Sequence, residues 1–439
     1  MLQNISGRKM VEDVFKIKRV QGREIIDSRG NPTVEAVVEL QGGALGKASV
    51  PSGASTGKYE AVELRDRDEK RFHGLGVLKA VRNINETIGP ALTGLDARRQ
   101  SEVDKKMLEL DGTPNKSRLG ANAILAVSLA NAIAASNASG MELYEYLGGG
   151  KGVTLPVPLM NVINGGKHAG NNLSIQEFMI IPAGFNDFPT ALRAGVEVYH
   201  TLRSVIVKKY GRPSINVGDE GGFAPPLNRS DQALELLLTA IEETGYSFSQ
   251  VLLGIDAASS SFYDPSSNKY RIDGRELSSS ELLEYYDGLV STFKLRSIED
   301  PFEENDFEYF AEITRRMGSR VQIVGDDIFV TNKERLLQGI RRGAANALLF
   351  KLNQCGSLTE SLETFNTAVE NNYRVVVSHR SGETEDTYIS DVAVAFNAGQ
   401  IKTGAPCRGE RTAKYNRLLR ICEKLGSRAK YKGPEVFSL

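Results

Sequence analysis

The segment Ala347-Leu-Leu-Phe-Lys351 shows the pattern that decides the fold, because a short apolar run ends there in a charged residue. The pattern recurs through the second part of the chain, at Leu252–Asp256, Leu295–Glu299, Gln322–Asp326, Arg374–His379 and Gln400–Lys402. Helical stretches such as Asn332–Ile340 and Leu358–Asn371 follow several of these runs. Short strands that alternate with helices predict a barrel of parallel strands surrounded by helices.

Each of these runs ends in, or leads directly into, a polar residue of a type common in functional sites. The six residues are Asp256, Glu299, Asp326, Lys351, His379 and Lys402. Successive members are separated by about the length of one strand, one helix and their loops. The carboxyl ends of barrel strands meet on one face, where barrel enzymes carry out their chemistry. The regular spacing therefore favours one shared site over six separate surface charges.

Three of the strand ends, Asp256, Glu299 and Asp326, carry carboxylates without a nearby cysteine. Hard oxygen ligands of this kind are typical of Mg²⁺ or Mn²⁺ sites. Three carboxylates would leave coordination positions open for water and substrate. Taken singly, the acidic pairs Glu299-Asp300 and Asp326-Asp327 also fit a capped turn.

Positive charge collects on the same predicted rim, at Lys351, Arg380 and Lys402. These residues suit a substrate that carries phosphate or carboxylate, and arginine can bind such a group through two parallel hydrogen bonds. Nearby cations would lower the pKa of a lysine such as Lys351 and allow it to act as a base.

The stretch Asn216-Val-Gly-Asp-Glu-Gly-Gly-Phe-Ala-Pro-Pro226 places an acidic pair among three glycines. We expect Ser214–Val217 to be a strand that breaks into this loop, so that Glu220 can be aimed into a cleft. Two further candidates, His168 and the pair Gln176-Glu177, lie on an earlier segment, where each alone is as compatible with a structural role.

Composition excludes several functional classes. The chain has 439 residues, with 54 Lys and Arg against 55 Asp and Glu, and this balance predicts neither nucleic acid nor a membrane surface as a partner. We expect no apolar run long enough to span a bilayer. Three widely spaced cysteines, Cys355, Cys407 and Cys422, fit a reducing cytoplasm better than a disulfide framework.

The chain is long enough for two domains. The glycine-rich segment Leu147–Gly152 is the predicted boundary. We predict an N-terminal extension at 1–18, an N-terminal α+β domain at 19–150 and a C-terminal barrel at 151–439.

Together these motifs resemble one family, the enolases. The resemblance extends from about Glu24 to Gly426. It is carried by Val50–Gly57, Asn161–His168, Gln176–Met179, Gly218–Gly222, Ser297–Phe302, Gly325–Asp327, Lys351–Gln354, Ser378–Asp386 and Ile401–Pro406. The run Ser378-His-Arg-Ser-Gly-Glu-Thr-Glu-Asp386 is its most specific part.

The resemblance implies an α/β fold: an α+β N-terminal domain and an enolase-type TIM-like barrel whose second strand is antiparallel. It also implies the reversible dehydration of 2-phosphoglycerate to phosphoenolpyruvate in glycolysis. Two Mg²⁺ ions are implied for each site, the first held by Asp256, Glu299 and Asp326 and the second completed by substrate phosphate and the loop of Ser55.

Residue by residue, the resemblance implies that Lys351 removes the C2 proton and that Glu220 assists loss of the C3 hydroxyl. Arg380 and Ser381 would hold the phosphate. The remaining substrate-binding residues implied are Ser55, His168, Gln176, Glu177, His379 and Lys402.

Two other functions remain open at this point. One is another acid dehydratase of the enolase superfamily, and the other is an added non-enzymatic role in surface binding. The resemblance further implies a homodimer, with an octamer of four dimers as an open alternative. The cytoplasmic location rests on the cysteines, and a surface or secreted pool is left open.

Overall fold

The structure, a computed structural model, describes residues 13–53, 58–166 and 169–437. The chain forms two compact units. The first unit comprises Met1–Gly152, Lys351–Glu363 and Arg380–Phe396. The second comprises Val153–Phe350, Thr364–His379 and Asn397–Leu439. Short pieces of the second half of the sequence therefore belong to the first unit.

The first unit contains an antiparallel sheet in the order β1 (Ile17–Ile26), β2 (Pro32–Leu40) and β3 (Leu45–Ser49). The turn between β1 and β2 is built around the buried Asp27. Its Oδ1 accepts hydrogen bonds from the backbone N–H groups of Arg29 at 2.8 Å and Asn31 at 2.9 Å. An aspartate that bonds the backbone two residues ahead is a common means of closing a turn.

Within the described part of the first unit, the α-helices are α1 (Leu78–Arg82), α2 (Gly89–Leu92), α3 (Gln100–Asp111), α4 (Ala121–Ala138), α5 (Leu143–Leu147), α11 (Leu352–Cys355) and α13 (Tyr388–Ala395). Helix α4 packs directly on β3. A Cβ added to Gly46 would lie 2.0 Å from the carbonyl oxygen of Ala130, so this approach requires glycine.

Helix α4 is also long and apolar enough, by length and composition alone, to cross a membrane, with 18 residues and a mean hydropathy of 1.3. However, 83% of it is buried inside the protein. Core helices of folded domains have the same composition, since they are apolar on all sides. Burial therefore identifies α4 as a core helix and carries no evidence for a membrane.

The second unit contains a closed eight-stranded barrel. In spatial order its strands are β11 (Ser297–Glu299), β12 (Gln322–Gly325), β13 (Ala347–Phe350), β14 (Arg374–Ser378), β15 (Gly399–Lys402), β5 (Val157–Asn164), β6 (Glu177–Ile181) and β7 (Leu252–Asp256). Strand β6 pairs antiparallel with both of its neighbours, and the other pairs are parallel. The predicted barrel with an antiparallel second strand is confirmed.

Apolar side chains fill the barrel. Val157, Met179, Val324, Leu349 and Val376 come from five different strands, are fully buried and belong to one cluster. Within the barrel sheet the two buried amides of Gln322 and Gln400 bond each other at 2.8 and 2.9 Å, so their polar atoms are satisfied without water.

The helices of the second unit lie between the barrel strands in the sequence or follow the last of them, β15. They are α6 (Phe188–Tyr210), α7 (Ser230–Thr244), α8 (Ser279–Phe293), α9 (Phe307–Met317), α10 (Lys333–Arg342), α12 (Leu358–Glu370), α14 (Gly409–Leu425) and α15 (Gly433–Val436), of which α12 begins in the first unit. Two small sheets accompany them, formed by β8 (Tyr263–Asp264), β9 (Lys269–Ile272) and β10 (Arg275–Leu277), and by β4 (Thr154–Leu155) with β16 (Lys430–Tyr431).

One strand prediction is wrong. Ser214–Val217 is not a strand, because a 3₁₀ helix covers Arg212–Ile215 and only an isolated bridge joins Val217 to Phe223. Proline at 213 lies in the first turn of that helix, where its missing N–H is tolerated. The acidic loop therefore follows a helical turn.

Candidate active site

The strand ends place acidic side chains in one row across the barrel sheet. Glu299 is the direct register partner of Asp256 on the neighbouring parallel strand, and Glu177 is the partner of Asp256 on its other side. Because β6 runs antiparallel, its first residue lies at the level of the last residues of β7 and β11. The structure thus brings Glu177, a separate candidate in the sequence, together with Asp256 and Glu299, which were predicted to share one site.

The ammonium of Lys402, at the end of β15, binds this row. Its Nζ lies 2.9 Å from both carboxylate oxygens of Glu299, and 3.0 Å from Asp256 Oδ2 and Glu177 Oε2. Burial alone lowers the pKa of Lys402, but the carboxylates of Asp256, Glu177 and Glu299 together raise it well above its usual value. The contacts and the direction of this shift both favour the charged form of Lys402.

Negative charge exceeds positive charge in this row. Burial, followed by the charges of Asp256 and Asp326, raises the pKa of Glu299 well above its usual value, although Lys402 opposes the shift. Burial and the charge of Glu220 likewise raise the pKa of Glu177. The donors Asp256, Glu299 and Asp326 are all hard oxygens, and a divalent cation would relieve their mutual repulsion. These residues fit a Mg²⁺ site.

Asp300, which the sequence did not single out, organises the residues after β12. Its Oδ1 accepts the backbone N–H of Asp326 at 2.9 Å, and its Oδ2 accepts that of Asp327 at 2.8 Å. One carboxylate oxygen from each of the three residues lies within 4.8 Å of the others. Asp300 itself has a positive φ of 42°. The capped turn considered for these acidic pairs is present, and it orients Asp326.

Glu220 lies in the tight loop 218–222, which is closed by a hydrogen bond from Gly218 N–H to the Gly222 carbonyl at 2.8 Å. The Glu220 side chain is buried, and its Oε2 accepts a hydrogen bond from Asn161 Nδ2 at 2.9 Å. Its Oε1 lies 3.5 Å from His379 Nε2. The structure therefore brings together Glu220 and His379, and it adds Asn161, which the sequence did not identify.

Gln176 supports the same row through its backbone. Its N–H donates to the Asp256 carbonyl at 3.1 Å, and its carbonyl accepts from Gly165 N–H at 2.8 Å. Its side chain is half-buried. These two backbone hydrogen bonds hold Gln176 in place directly before β6, and so position the start of the antiparallel strand.

The remaining predicted residues that are described belong to the first unit. Arg380 is buried, and its Nη1 donates to Glu60 Oε2 at 2.9 Å and to Asn353 Oδ1 at 3.0 Å. These two acceptors hold the guanidinium plane in one orientation. Ser381 is buried next to it in the sequence. Lys351 is half-buried and is the N-cap residue of α11, directly after β13.

Two predicted residues, Ser55 and His168, lie outside the described residues, so their roles stay predictions.

Two family models together match nearly the whole chain. "Enolase, N-terminal domain" matches residues 17–147, and "Enolase, C-terminal TIM barrel domain" matches residues 152–438.

Curated relatives agree with these matches. The chain is 58% identical over 423 residues to a protein named "Enolase" from Methanocaldococcus jannaschii, covering 96% of this chain and 98% of the relative. It is 57% identical to "Enolase" from Methanopyrus kandleri over 420 residues (95% and 98%) and 56% identical to "Enolase" from Thermococcus gammatolerans over 424 residues (96% and 98%).

Proposed function

The chain belongs to the enolase family of lyases, and from that premise we propose that it catalyses the reversible, Mg²⁺-dependent dehydration of 2-phosphoglycerate to phosphoenolpyruvate and water in glycolysis. The observation that carries the proposal is the row Glu177, Asp256 and Glu299 bound by Lys402. Removal of a proton next to a carboxylate generates negative charge, and Asp256 and Glu299 of this row are two of the proposed ligands for a cation that can stabilise it.

The metal would be held by Asp256, Glu299 and Asp326, and when bound it would act as a Lewis acid on the substrate carboxylate. A lysine base with Mg²⁺ is a general pattern of the enolase superfamily. In the proposed roles, Lys351 accepts the C2 proton and Glu220 gives a proton to the departing C3 hydroxyl.

The surroundings of Glu220 support its proposed role. Both of its carboxylate oxygens face N–H-bearing side chains, Asn161 and His379, so its orientation is fixed inside a buried site. A carboxyl group that must approach one hydroxyl gains from such orientation, because misplacement by about 1 Å can reduce a rate about 10²-fold.

Binding of the substrate phosphate is assigned in this proposal to Arg380 and Ser381. The guanidinium of Arg380 is already held by Glu60 and Asn353, so its orientation requires little further ordering when an anion binds. The proposal includes Ser55, His168, Gln176, His379 and Lys402 as further substrate-binding residues, with the Ser55 loop completing a second Mg²⁺ site.

The proposed setting is the cytoplasm, with the protein as a homodimer. The three cysteines are all free, which supports a reducing compartment. Sedimentation of the purified protein would separate a dimer from an octamer of four dimers.

The deciding experiment follows the absorbance of phosphoenolpyruvate formed from 2-phosphoglycerate with Mg²⁺, and again after addition of a chelator. We expect activity that requires the metal. Activity on a sugar acid with none on 2-phosphoglycerate would instead identify another acid dehydratase of the superfamily. Absence of turnover on either substrate would favour a non-enzymatic surface-binding role.

A further inference from the structure

A fully buried arginine, Arg411 near the start of α14, contacts two parts of the site in the second unit. Its Nη1 lies 2.7 Å from His379 Nδ1, and its Nη2 donates to the Asp219 carbonyl at 3.0 Å. The side chain has no exposed surface. A buried cation with two specific acceptors at hydrogen-bond distance is held in a single orientation.

The contact with His379 determines which ring nitrogen carries the proton. A guanidinium has five donor hydrogens and no acceptor, so a contact of 2.7 Å requires a lone pair on His379 Nδ1. Nδ1 is then unprotonated, and the neutral ring carries its hydrogen on Nε2. An imidazolium would place an N–H against the guanidinium and add charge repulsion at short range.

The protonated nitrogen of His379 faces the proposed acid. Nε2 lies 3.5 Å from Glu220 Oε1, while Asn161 donates to the other oxygen, Oε2, at 2.9 Å. A neutral ring offers an N–H toward Glu220 without becoming a competing acid. The tautomer that Arg411 selects is therefore the one that can orient Glu220 as a hydrogen-bond donor.

The same arginine helps to hold the backbone on which Glu220 lies. Three successive carbonyls of the loop have partners on three different segments: Asp219 with Arg411, Glu220 with the N–H of Ala405 at 2.9 Å, and Gly221 with the hydroxyl of Tyr199 at 2.8 Å. The loop is thus fixed from outside as well as by its internal hydrogen bonds.

We propose that Arg411 is a positioning residue for the reaction, which holds His379 as the neutral Nε2–H tautomer facing Glu220 and fixes the Glu220 loop through the Asp219 carbonyl. The inference rests on the proposed function in naming Glu220 as the acid. The protonation of the His379 ring can be measured without substrate.

The wild-type protein supplies the first test. Protein labelled with ¹⁵N in histidine is examined at neutral pH by long-range proton–nitrogen NMR, and the His379 signal is identified as the one missing from His379→Gln. We expect an unprotonated Nδ1 and a protonated Nε2. A protonated Nδ1, in either the other tautomer or an imidazolium, would overturn the proposal.

Substitution supplies the second test. In Arg411→Met we expect loss of the single tautomer and a fall in kcat of about 10²-fold with a much smaller change in KM, as for a displaced catalytic group. Arg411→Lys retains the positive charge and one donor nitrogen, so it should recover part of the effect. Arg420→Met, at an exposed position of the same helix, should match the wild type.

The outcomes separate the two hypotheses. A wild-type tautomer and kcat in folded Arg411→Met would overturn the role of Arg411. If that variant does not fold, the wild-type spectrum and Arg411→Lys provide the test. A mixture of His379 tautomers in Arg411→Lys, with kcat unchanged, would overturn the proposal. The expected tautomer in a protein that does not convert 2-phosphoglycerate would instead reject the proposed function.

Discussion

Asp256 and Glu299 are direct register partners on adjacent parallel strands, and one ammonium, that of Lys402, lies within 3.0 Å of both carboxylates. Two buried carboxylates at the same level of a sheet repel each other unless a cation lies between them. Lys402 supplies one positive charge to a row that also contains Glu177. The charge balance of the site therefore depends on this lysine whenever no metal is bound.

Replacement of Lys402 by methionine should destabilise the metal-free protein by about 3–5 kcal/mol, because removal of one partner leaves buried charges uncompensated. Urea unfolding in the presence of a chelator measures this loss. Lys208→Met, at an exposed position of α6, is the matched control and should change stability by less than about 0.5 kcal/mol. Equal stabilities of the two variants would mean that the carboxylates are not charged together.

Asp326→Asn should weaken Mg²⁺ binding by about 100-fold or more, since even changes to residues that only support metal ligands cost about 10–100-fold. Calorimetric titration of the substrate-free protein with Mg²⁺ reads this directly, and circular dichroism checks that the variant is folded. Asp68→Asn, on the exposed surface of the first unit, should bind Mg²⁺ like the wild type. Full activity of the wild type after exhaustive chelation would contradict the metal assignment.

Glu220→Gln and Lys351→Ala should fail at different steps, each with a loss of about 10²–10⁴-fold or more in overall rate. Glu220→Gln retains the base, so in heavy water it should exchange the C2 hydrogen of 2-phosphoglycerate while forming little phosphoenolpyruvate. Lys351→Ala should do neither. Proton NMR of the substrate follows both reactions. Exchange by Lys351→Ala together with its absence in Glu220→Gln would reverse the two roles.

Gly404→Ala should reduce activity beyond its cost in stability. Gly404 has φ +80°, and an added Cβ would lie 2.7 Å from the Glu220 carbonyl oxygen. A non-glycine residue in such a conformation costs about 1–3 kcal/mol, and here the collision also displaces the loop. Gly245→Ala is the matched control, because it has φ +89° with nothing within 4 Å of the added Cβ.

The two glycine variants are compared by thermal unfolding and by kcat. Both should lose stability, but only Gly404→Ala should lose about 10-fold or more in kcat, by the same displacement argument as for Arg411. A parallel loss of kcat in Gly245→Ala would indicate a general effect of strain.

The sequence was most informative at the strand ends. Asp256, Glu299 and Lys402 each close an apolar run, and a charged residue at that point must leave the core at the strand terminus, so its position follows from the strand alone. The antiparallel β6 could not be read from its residues. A short apolar run has the same appearance in either direction, and only the resemblance implied the inversion.

The supporting residues were missed for a different reason. Asp300, Asn161 and Arg411 act through hydrogen bonds to residues far away in the sequence, and nothing local marks such partners. Arg411 lies in the first turn of a helix with many charged residues, where an arginine normally points to solvent. The prediction of a strand at Ser214–Val217 was wrong because Pro213 and the following loop favour a helical turn.

The inverted β6 also bears on the order in which the barrel assembles. Its antiparallel pairing with β5 joins neighbours in the sequence, whereas β5 on its other side pairs with β15, near the end of the chain. Closing a large loop costs more conformational entropy than closing a hairpin, and distant contacts form slowly. We expect the β5–β6 amides to gain protection in pulse-labelled hydrogen exchange before those of β15, with the seam between β15 and β5 sealing last. Early protection of β15 would exclude this order. A barrel that assembles in this order is an open sheet until its last step. Only the final pairing of β15 with β5 removes the two unpaired edges of that sheet.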